Sequence, residues 1–282
     1  IIFHAQYLLD RLKYFIESPK LSAPTEEEWV RIAHCVKHFE VGIPEHLSTF
    51  AFEDLSAFKQ SSYSLDLIRC LALSDRRDGF LYEFGDITDT PRYPTFVKSR
   101  PIQAGNENGC IVPMDTIRHF PCYVDSRPFT SKSDTVVWRG AVYQPWRQTA
   151  LDVAQALPFC DVADTGLRDG FNGKKTSFLT PHQQMKHKFM LSIEGNDVAS
   201  NLKWAMASNS VVMMRKPRYE TWFCESWLEP GIHYIELADD FSNLAERFEY
   251  YVARPKLCQD IVEAAHAYVT PFYARHRQFE LG

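Results

Sequence analysis

Three cations, Arg139, Arg147 and Lys203, stand close in sequence to two short segments that each follow an apolar run: Arg139-Gly140, after "TVVW", and Glu194 to Asn201, "EGNDVASN", after "KFMLSI". Short apolar runs of this kind read as buried strands of a parallel sheet, which places both segments at C-terminal strand ends. That edge is where open α/β sheets take their ligands. A guanidinium gives paired hydrogen bonds to phosphate oxygens, and a helix N-terminus adds backbone donors. A helix is expected after Gly195, which suits a tight turn, with Val198, Leu202, Ala205 and Met206 at helical spacing and Asn196 or Asp197 as its cap. Together these groups can hold a diphosphate without a metal. Taken singly, each cation reads more readily as a surface ion pair.

The elements that would position these groups begin at Thr135. "TVVWRG" reads as a strand, Pro145 suits the first turn of a helix through "WRQTALDVAQAL", and "FCDVAD" is the next strand, with Asp161 to Asp164 at its end. A Gly/Lys-rich loop, "KFMLSI", "VVMM", "HYIEL" and a helix in "ADDFSNLAERFEYYV" follow. Alternation of this kind implies βαβ units and a parallel sheet.

Upstream, "PTEEEWVRIAHCV" opens with a capping box, Thr25 with Glu28, and residues up to about 75 read as mostly helical. His34 and His38 lie four apart, a spacing that suits a metal, but no third ligand stands near them in sequence. "GFLYEFGD" reads as a strand ending at Gly85-Asp86. "ITDTPRYPTFVKSRPIQAGNENG" is loop-like by composition, "CIVPM" and "HFPCYV" are short strand candidates, and "RPFTSKSD" reads as an interdomain linker.

The net charge of −5 argues against a general nucleic-acid binder, which needs a basic stripe. No apolar stretch approaches the roughly 18 residues of a membrane-spanning helix. Seven cysteines are scattered, odd in number and never form C-x-x-C, which points away from zinc knuckles and dense disulfides and towards a reducing, cytoplasmic setting. The opening "IIFHAQ", with neither Met nor a recognisable leader, reads as a trimmed chain. Walker-type and G-x-G-x-x-G loops are absent, as is the G-x-S-x-G elbow, so P-loop NTPases, ordinary dinucleotide oxidoreductases and esterases are disfavoured. No two aspartates are separated by one residue, so the D-x-D motif of many metal-dependent sugar-nucleotide transferases is missing.

"VVWRGAVYQPWR", then "HKFMLSIEGNDVASNLKWAMASNSVVMM", then "YETWFCESWLEPGIHYIELADDFSNLAERFEYY" resemble glycosyltransferase family 90. That family includes Rumi-type protein O-glucosyltransferases, capsule-associated proteins and bacterial lipopolysaccharide glycosyltransferases; "EGNDVASNLKW" and "PTFVKSRPI…RHF" are most similar to the last branch. The resemblance implies a GT-B arrangement, two Rossmann-like domains facing across a cleft. The divisions expected are 1–130 on the acceptor side, 131–258 for the nucleotide sugar, and 259–282 as a C-terminal helix returning to the first domain. It also implies metal-independent, inverting transfer from a UDP-sugar to a hydroxyl of a surface glycan or lipid-linked glycan (lipopolysaccharide core or capsule), with no cofactor; the alternatives are a protein O-glucosyl- or xylosyltransferase and a non-catalytic sugar-nucleotide or glycan binder on the same fold. A cytoplasmic location, peripheral at the inner membrane, goes with that reading; the alternative is a secretory lumen.

By the same resemblance Arg147, in R-G-x-x-x-x-P-x-R, contacts the donor phosphates. The turn Glu194, Gly195, Asn196, Asp197, Ser200, Asn201 contacts the nucleotide sugar, with Arg139, Gly140 and Lys203 beside it. The catalytic carboxylate follows a strand of the first domain, which nominates Asp86, with Asp89 and then Asp125 behind it. The chain departs from Rumi-type members at Asn201, where they have arginine, and at Ala141 and Gln144, where they have serines.

Overall fold

A computed structural model describes residues 24–36, 61–71, 80–166 and 178–273. His38, the Gly/Lys-rich loop and the two chain ends lie outside these residues. Helix α1 (Glu26–Val36) opens on the expected capping box: the Glu28 N–H donates to Thr25 Oγ1 at 3.2 Å and the Thr25 N–H to Glu28 Oε2 at 2.8 Å. Helix α2 (Ser62–Leu71) follows.

A three-stranded parallel sheet comes next, formed by β1 (Tyr82–Glu83), β2 (Thr95–Val97) and β4 (Gly109–Ile111) in the order β1-β2-β4. Strand β3 (Ser99–Pro101) lies between β2 and β4 in sequence. The stretch read as loop therefore holds β2 and β3. Its prolines misled because Pro94 precedes one strand and Pro101 ends the other, where a missing N–H costs little. "HFPCYV" in turn is not a strand. A single helical turn, α3 (Thr116–His119), ends there, and Pro121 has no N–H to give to a ladder. Strand β1 is only two residues long, because Gly85 takes a φ of 116° and turns the chain, leaving Asp86 at the strand's C-terminal end.

The segment read as a linker is packed: Phe129 is buried against Phe189, and Lys132 Nζ reaches Asp125 and Ser210 Oγ. It leads into β5 (Ser133–Gly140), α4 (Pro145–Gln155, with Pro145 in the first turn as expected), β6 (Cys160–Asp164), α5 (Pro181–Gln184), β7 (His187–Leu191), α6 (Leu202–Met206), β8 (Val211–Arg215), β9 (Tyr219–Thr221), β10 (Ile235–Leu237), α7 (Leu244–Val252) and α8 (Pro255–Val269). Five of these strands form an all-parallel sheet in the order β10-β8-β7-β5-β6.

Both faces of this sheet are covered, which is why its strands read as unbroken apolar runs. Val136, Trp138, Phe189, Leu191 and Met213 pack with Leu151, Phe248 and Ile261 of α4, α7 and α8. Val137, Met190, Val212 and Met214 point the other way, into a core shared with Trp204, Trp222, Ala265 and Val269. That second core also holds Cys35 of α1 and Phe120, and the Phe272 ring stacks on Phe120. The two sheets are tied by an antiparallel ribbon of β3 with β9, Arg100 opposite Glu220, with the Arg100 side chain wholly buried.

Candidate active site

After β5 the chain crosses to β6 on one side of the five-stranded sheet; after β7 it crosses to β8 on the other. The C-terminal ends of β5 and β7 therefore bound the crevice where the strand order reverses. Gly140 ends β5 because a Cβ there would lie 2.4 Å from the Trp138 ring. Four residues on, Gln144 and Arg147 project from the start of α4.

Arg147 is committed to backbone. Its Nε donates to Glu194 O at 2.9 Å, Nη1 to Ala141 O at 2.8 Å and Nη2 to Ile193 O at 2.8 Å. A guanidinium carries five N–H donors, so these bonds still leave donors to spare. Burial, and then the charge of Arg118, press its pKa downward. Gly195 does not use left-handed backbone angles; a Cβ there would stand 3.4 Å from Arg147 Nη2, so close approach is what its lack of a side chain permits.

The helix expected directly after Gly195 begins later. α6 starts at Leu202, with Asn201 in the cap position and no side-chain capping bond. Asp197 cannot cap because its carboxylate is taken by Ser99 Oγ and, at 2.9 Å, by Lys98 Nζ. Asn201 Nδ2 donates instead to Leu191 O, and Ser200 lies half-buried in the turn. Glu194 turns the other way, accepting from the Arg218 N–H at 2.9 Å and from Arg215. Burial raises its pKa against those bonds.

Two expected cations point elsewhere. Lys203 is wholly buried, paired with Glu225 and set over the Phe223 ring. Arg139 Nη2 meets Asp161 Oδ1 at 2.6 Å, across to β6.

Opposite this crevice stands the C-terminal edge of the three-stranded sheet. Asp86, just past β1, accepts from Lys98 Nζ on Oδ1 at 2.6 Å and from Asn196 Nδ2 on Oδ2 at 3.1 Å. Arg118 Nη1 is 4.0 Å from Oδ1. Burial alone would raise the Asp86 pKa, but Lys98, Asn196 and Arg118 outweigh it and hold the group below its ordinary value. Asp197 shares the same ammonium, yet burial raises its pKa, Lys98 opposing and the Asp86 charge adding to the rise. Asp89 is exposed and bonded only weakly, to Thr88. The Asp125 carboxylate is filled by Lys132 and by the Asn209 N–H, well into the packed segment.

Lys98, Arg118 and the Gln144 side chain were not nominated from the sequence. Lys98 had a signal, since it directly follows the buried run Thr95–Val97. Among the described residues no group of three His, Cys, Asp or Glu is placed to hold a metal ion, and His34 bonds Glu220 at 2.8 Å.

Arg147→Ala removes two carbonyl bonds from the turn at 193–195 and one from Ala141, together with a cation beside the crevice. With the UDP-sugar donor that the sequence resemblance implies, affinity for UDP is expected to fall about tenfold or more, since hydrogen bonds from charged donors contribute roughly 1.5–3 kcal/mol. Calorimetry with UDP checks this; an unchanged affinity would make Arg147 a purely structural brace.

The model of glycosyl transferase family 90 matches residues 122–275. This segment carries Gln144, Arg147 and the turn at 194–201, whereas Asp86, Lys98 and Arg118 precede it. The chain is 41% identical over 214 residues to the O-glucosyltransferase LpsA of Dichelobacter nodosus, covering 76% of this chain and 67% of that protein. It is 26% identical over 126 residues to the uncharacterized protein 035R of Invertebrate iridescent virus 3, covering 44% of this chain and 11% of that one. A third relative, the uncharacterized protein 179R of Invertebrate iridescent virus 6, is 28% identical over 107 residues, covering 36% and 9%.

Proposed function

The chain belongs to glycosyl transferase family 90 and is a glycosyltransferase, and on that premise we propose that it moves a sugar, with inversion and without a metal, from a UDP-sugar to a hydroxyl of a surface glycan such as lipopolysaccharide core. One observation carries this reading. The C-terminal edges of two parallel sheets meet, and at that junction a carboxylate, Asp86, is held against Asn196 of the opposite edge. Such an arrangement is what a GT-B cleft requires, with the acceptor over the first sheet and the nucleotide sugar over the second. Glucose is the sugar we favour, because LpsA is named an O-glucosyltransferase.

In the proposed reaction the acceptor hydroxyl attacks the anomeric carbon in line with the departing diphosphate. Asp86 takes the hydroxyl proton. Positive charge and N–H donors stabilise the leaving group; Arg118, whose side chain is 54% exposed, the remaining donors of Arg147 and the turn at 195–201 are within the same crevice. Among the described residues no helix is long and apolar enough to cross a membrane. We place the enzyme on the cytoplasmic side, meeting a lipid-linked acceptor peripherally.

The test is transfer from UDP-glucose to lipopolysaccharide-core acceptors, followed by release of UDP. Activity is expected to persist in excess EDTA, because the chain lacks D-x-D and presents cations to the crevice. Silencing by EDTA with rescue by Mn²⁺ or Mg²⁺ would overturn the metal-free mechanism.

A further inference from the structure

We propose that Asn196 is a gate on the general base, and that Gln144 opens it by reading a hydroxyl of the donor sugar. This rests on Asp86 being the base. Its two oxygens are both occupied: Oδ1 by Lys98 at 2.6 Å and Oδ2 by Asn196 Nδ2 at 3.1 Å. Each carboxylate oxygen keeps a second lone pair, but an oxygen that already accepts from an amide is a weaker base, and the Asn196 amide reaches Asp86 from the edge on which the donor is placed. The Lys98 bond is buried and shared with Asp197, whereas Asn196 is exposed. Oδ2 is therefore the oxygen that can be released.

What would release it is set by the polarity of the chain of amides. An ionised carboxylate only accepts, so Asn196 must turn its Nδ2 toward Asp86 and its Oδ1 away. That Oδ1 then requires a donor, and Gln144 Nε2 supplies it at 2.7 Å. The Gln144 orientation is thereby fixed as well, which leaves Gln144 Oε1 as an acceptor, buried and without a hydrogen-bond partner. The orphan acceptor lies at the C-terminal end of β5, at the switch point where the donor is placed. A sugar hydroxyl both donates and accepts. One hydroxyl of the donor can donate to Gln144 Oε1 and accept from Asn196 Nδ2, drawing the Asn196 amide off Asp86.

With Oδ2 free, the acceptor's proton moves to it, the acceptor oxygen bonds the anomeric carbon, and the diphosphate leaves with the electrons of the broken C–O bond.

The charged and titratable groups around Asp86 are Lys98, Arg118 with its neighbour Asp115, Tyr63 from α2, and Asp197 from the opposite edge. Replacing Asn196 removes one bond that favours the carboxylate and leaves those groups in place. The acid limb of kcat/KM in Asn196→Ala should therefore move to higher pH than in wild type. Calorimetry with UDP and UDP-glucose should show Gln144→Ala losing about fivefold in affinity for UDP-glucose, as befits a neutral hydrogen bond, with UDP unchanged. Equal losses for both ligands, or none for UDP-glucose, would sink the hydroxyl reading. An unmoved acid limb beside an inactive Asp86→Asn overturns the gate and leaves the base standing. An active Asp86→Asn removes the base, and the gate with it.

Discussion

Asp86→Asn is expected to lower turnover by about 10²–10⁴-fold, the usual cost of losing a general base, while UDP binding survives. The substitution keeps size and leaves Lys98 paired with Asp197 at 2.9 Å, so no buried ammonium is stranded and stability should change little. The depressed Asp86 pKa, produced by Lys98, Asn196 and Arg118 against the effect of burial, keeps the group ionised at neutral pH. Activity should accordingly hold as pH falls towards the ordinary carboxylate range and fail only below it. Made in parallel, Asp89→Asn should be nearly silent. Asp125→Asn should lose stability rather than chemistry, because it unpairs the buried Lys132. Near-normal turnover in Asp86→Asn would end the assignment.

The second large effect is on folding. Glu220→Ala should destabilise the protein by about 3–5 kcal/mol, the range for breaking a buried ion pair, against a typical total of roughly 5–15 kcal/mol. Arg100 would keep its bonds to the carbonyls of His34, Cys35 and Gly109, but its buried Nε would lose Glu220 Oε1 at 2.9 Å. Urea midpoints for wild type, Glu220→Gln and Glu220→Ala measure the cost; a loss under about 1 kcal/mol for the alanine variant, the surface-pair range, would show that the pair contributes little.

Acid adds a second reading of the same pair. Burial would raise the Glu220 pKa, but hydrogen bonds from His34 and Ser226 and the charges of His34 and Arg100 bring it down to about 2. The unfolded chain then binds the proton more readily, so the contribution is complete above the ordinary glutamate pKa of about 4.3. It is lost as pH falls from there through about 2. Wild-type midpoints should drop across that window more steeply than those of Glu220→Gln.

The five-stranded sheet was legible because strands buried on both faces are short apolar runs, and "TVVW", "FML" and "VVMM" are such runs. The first sheet and the β3–β9 ribbon were less so. β2 and β3 are three residues each, flanked by prolines that signal loop when burial is unknown. The residues point to the turn at 194–201 but place its helix too early, because Asp197 looks like a cap until its partner Lys98 is known. Cations were found by sign, but direction is a tertiary property: Lys203 turns inward to Glu225 and Arg139 sideways to Asp161. Motifs carried the family, since order and spacing persist where contacts are invisible.

The β3–β9 ribbon and the groups around Asp86 join residues far apart in the chain: Ser99 to Asp197 spans 98 positions, Asn196 to Asp86 spans 110, and Arg100 to Glu220 spans 120. At a synthesis rate of about 5–20 residues per second, the arm bearing Asp86, Lys98 and Arg100 leaves the ribosome roughly 5–25 s before its partners exist. During that interval an ammonium and a guanidinium destined for burial remain hydrated, and the short parallel sheet has nothing to close against. The site around Asp86 therefore cannot form before the segments at 194–220 have emerged.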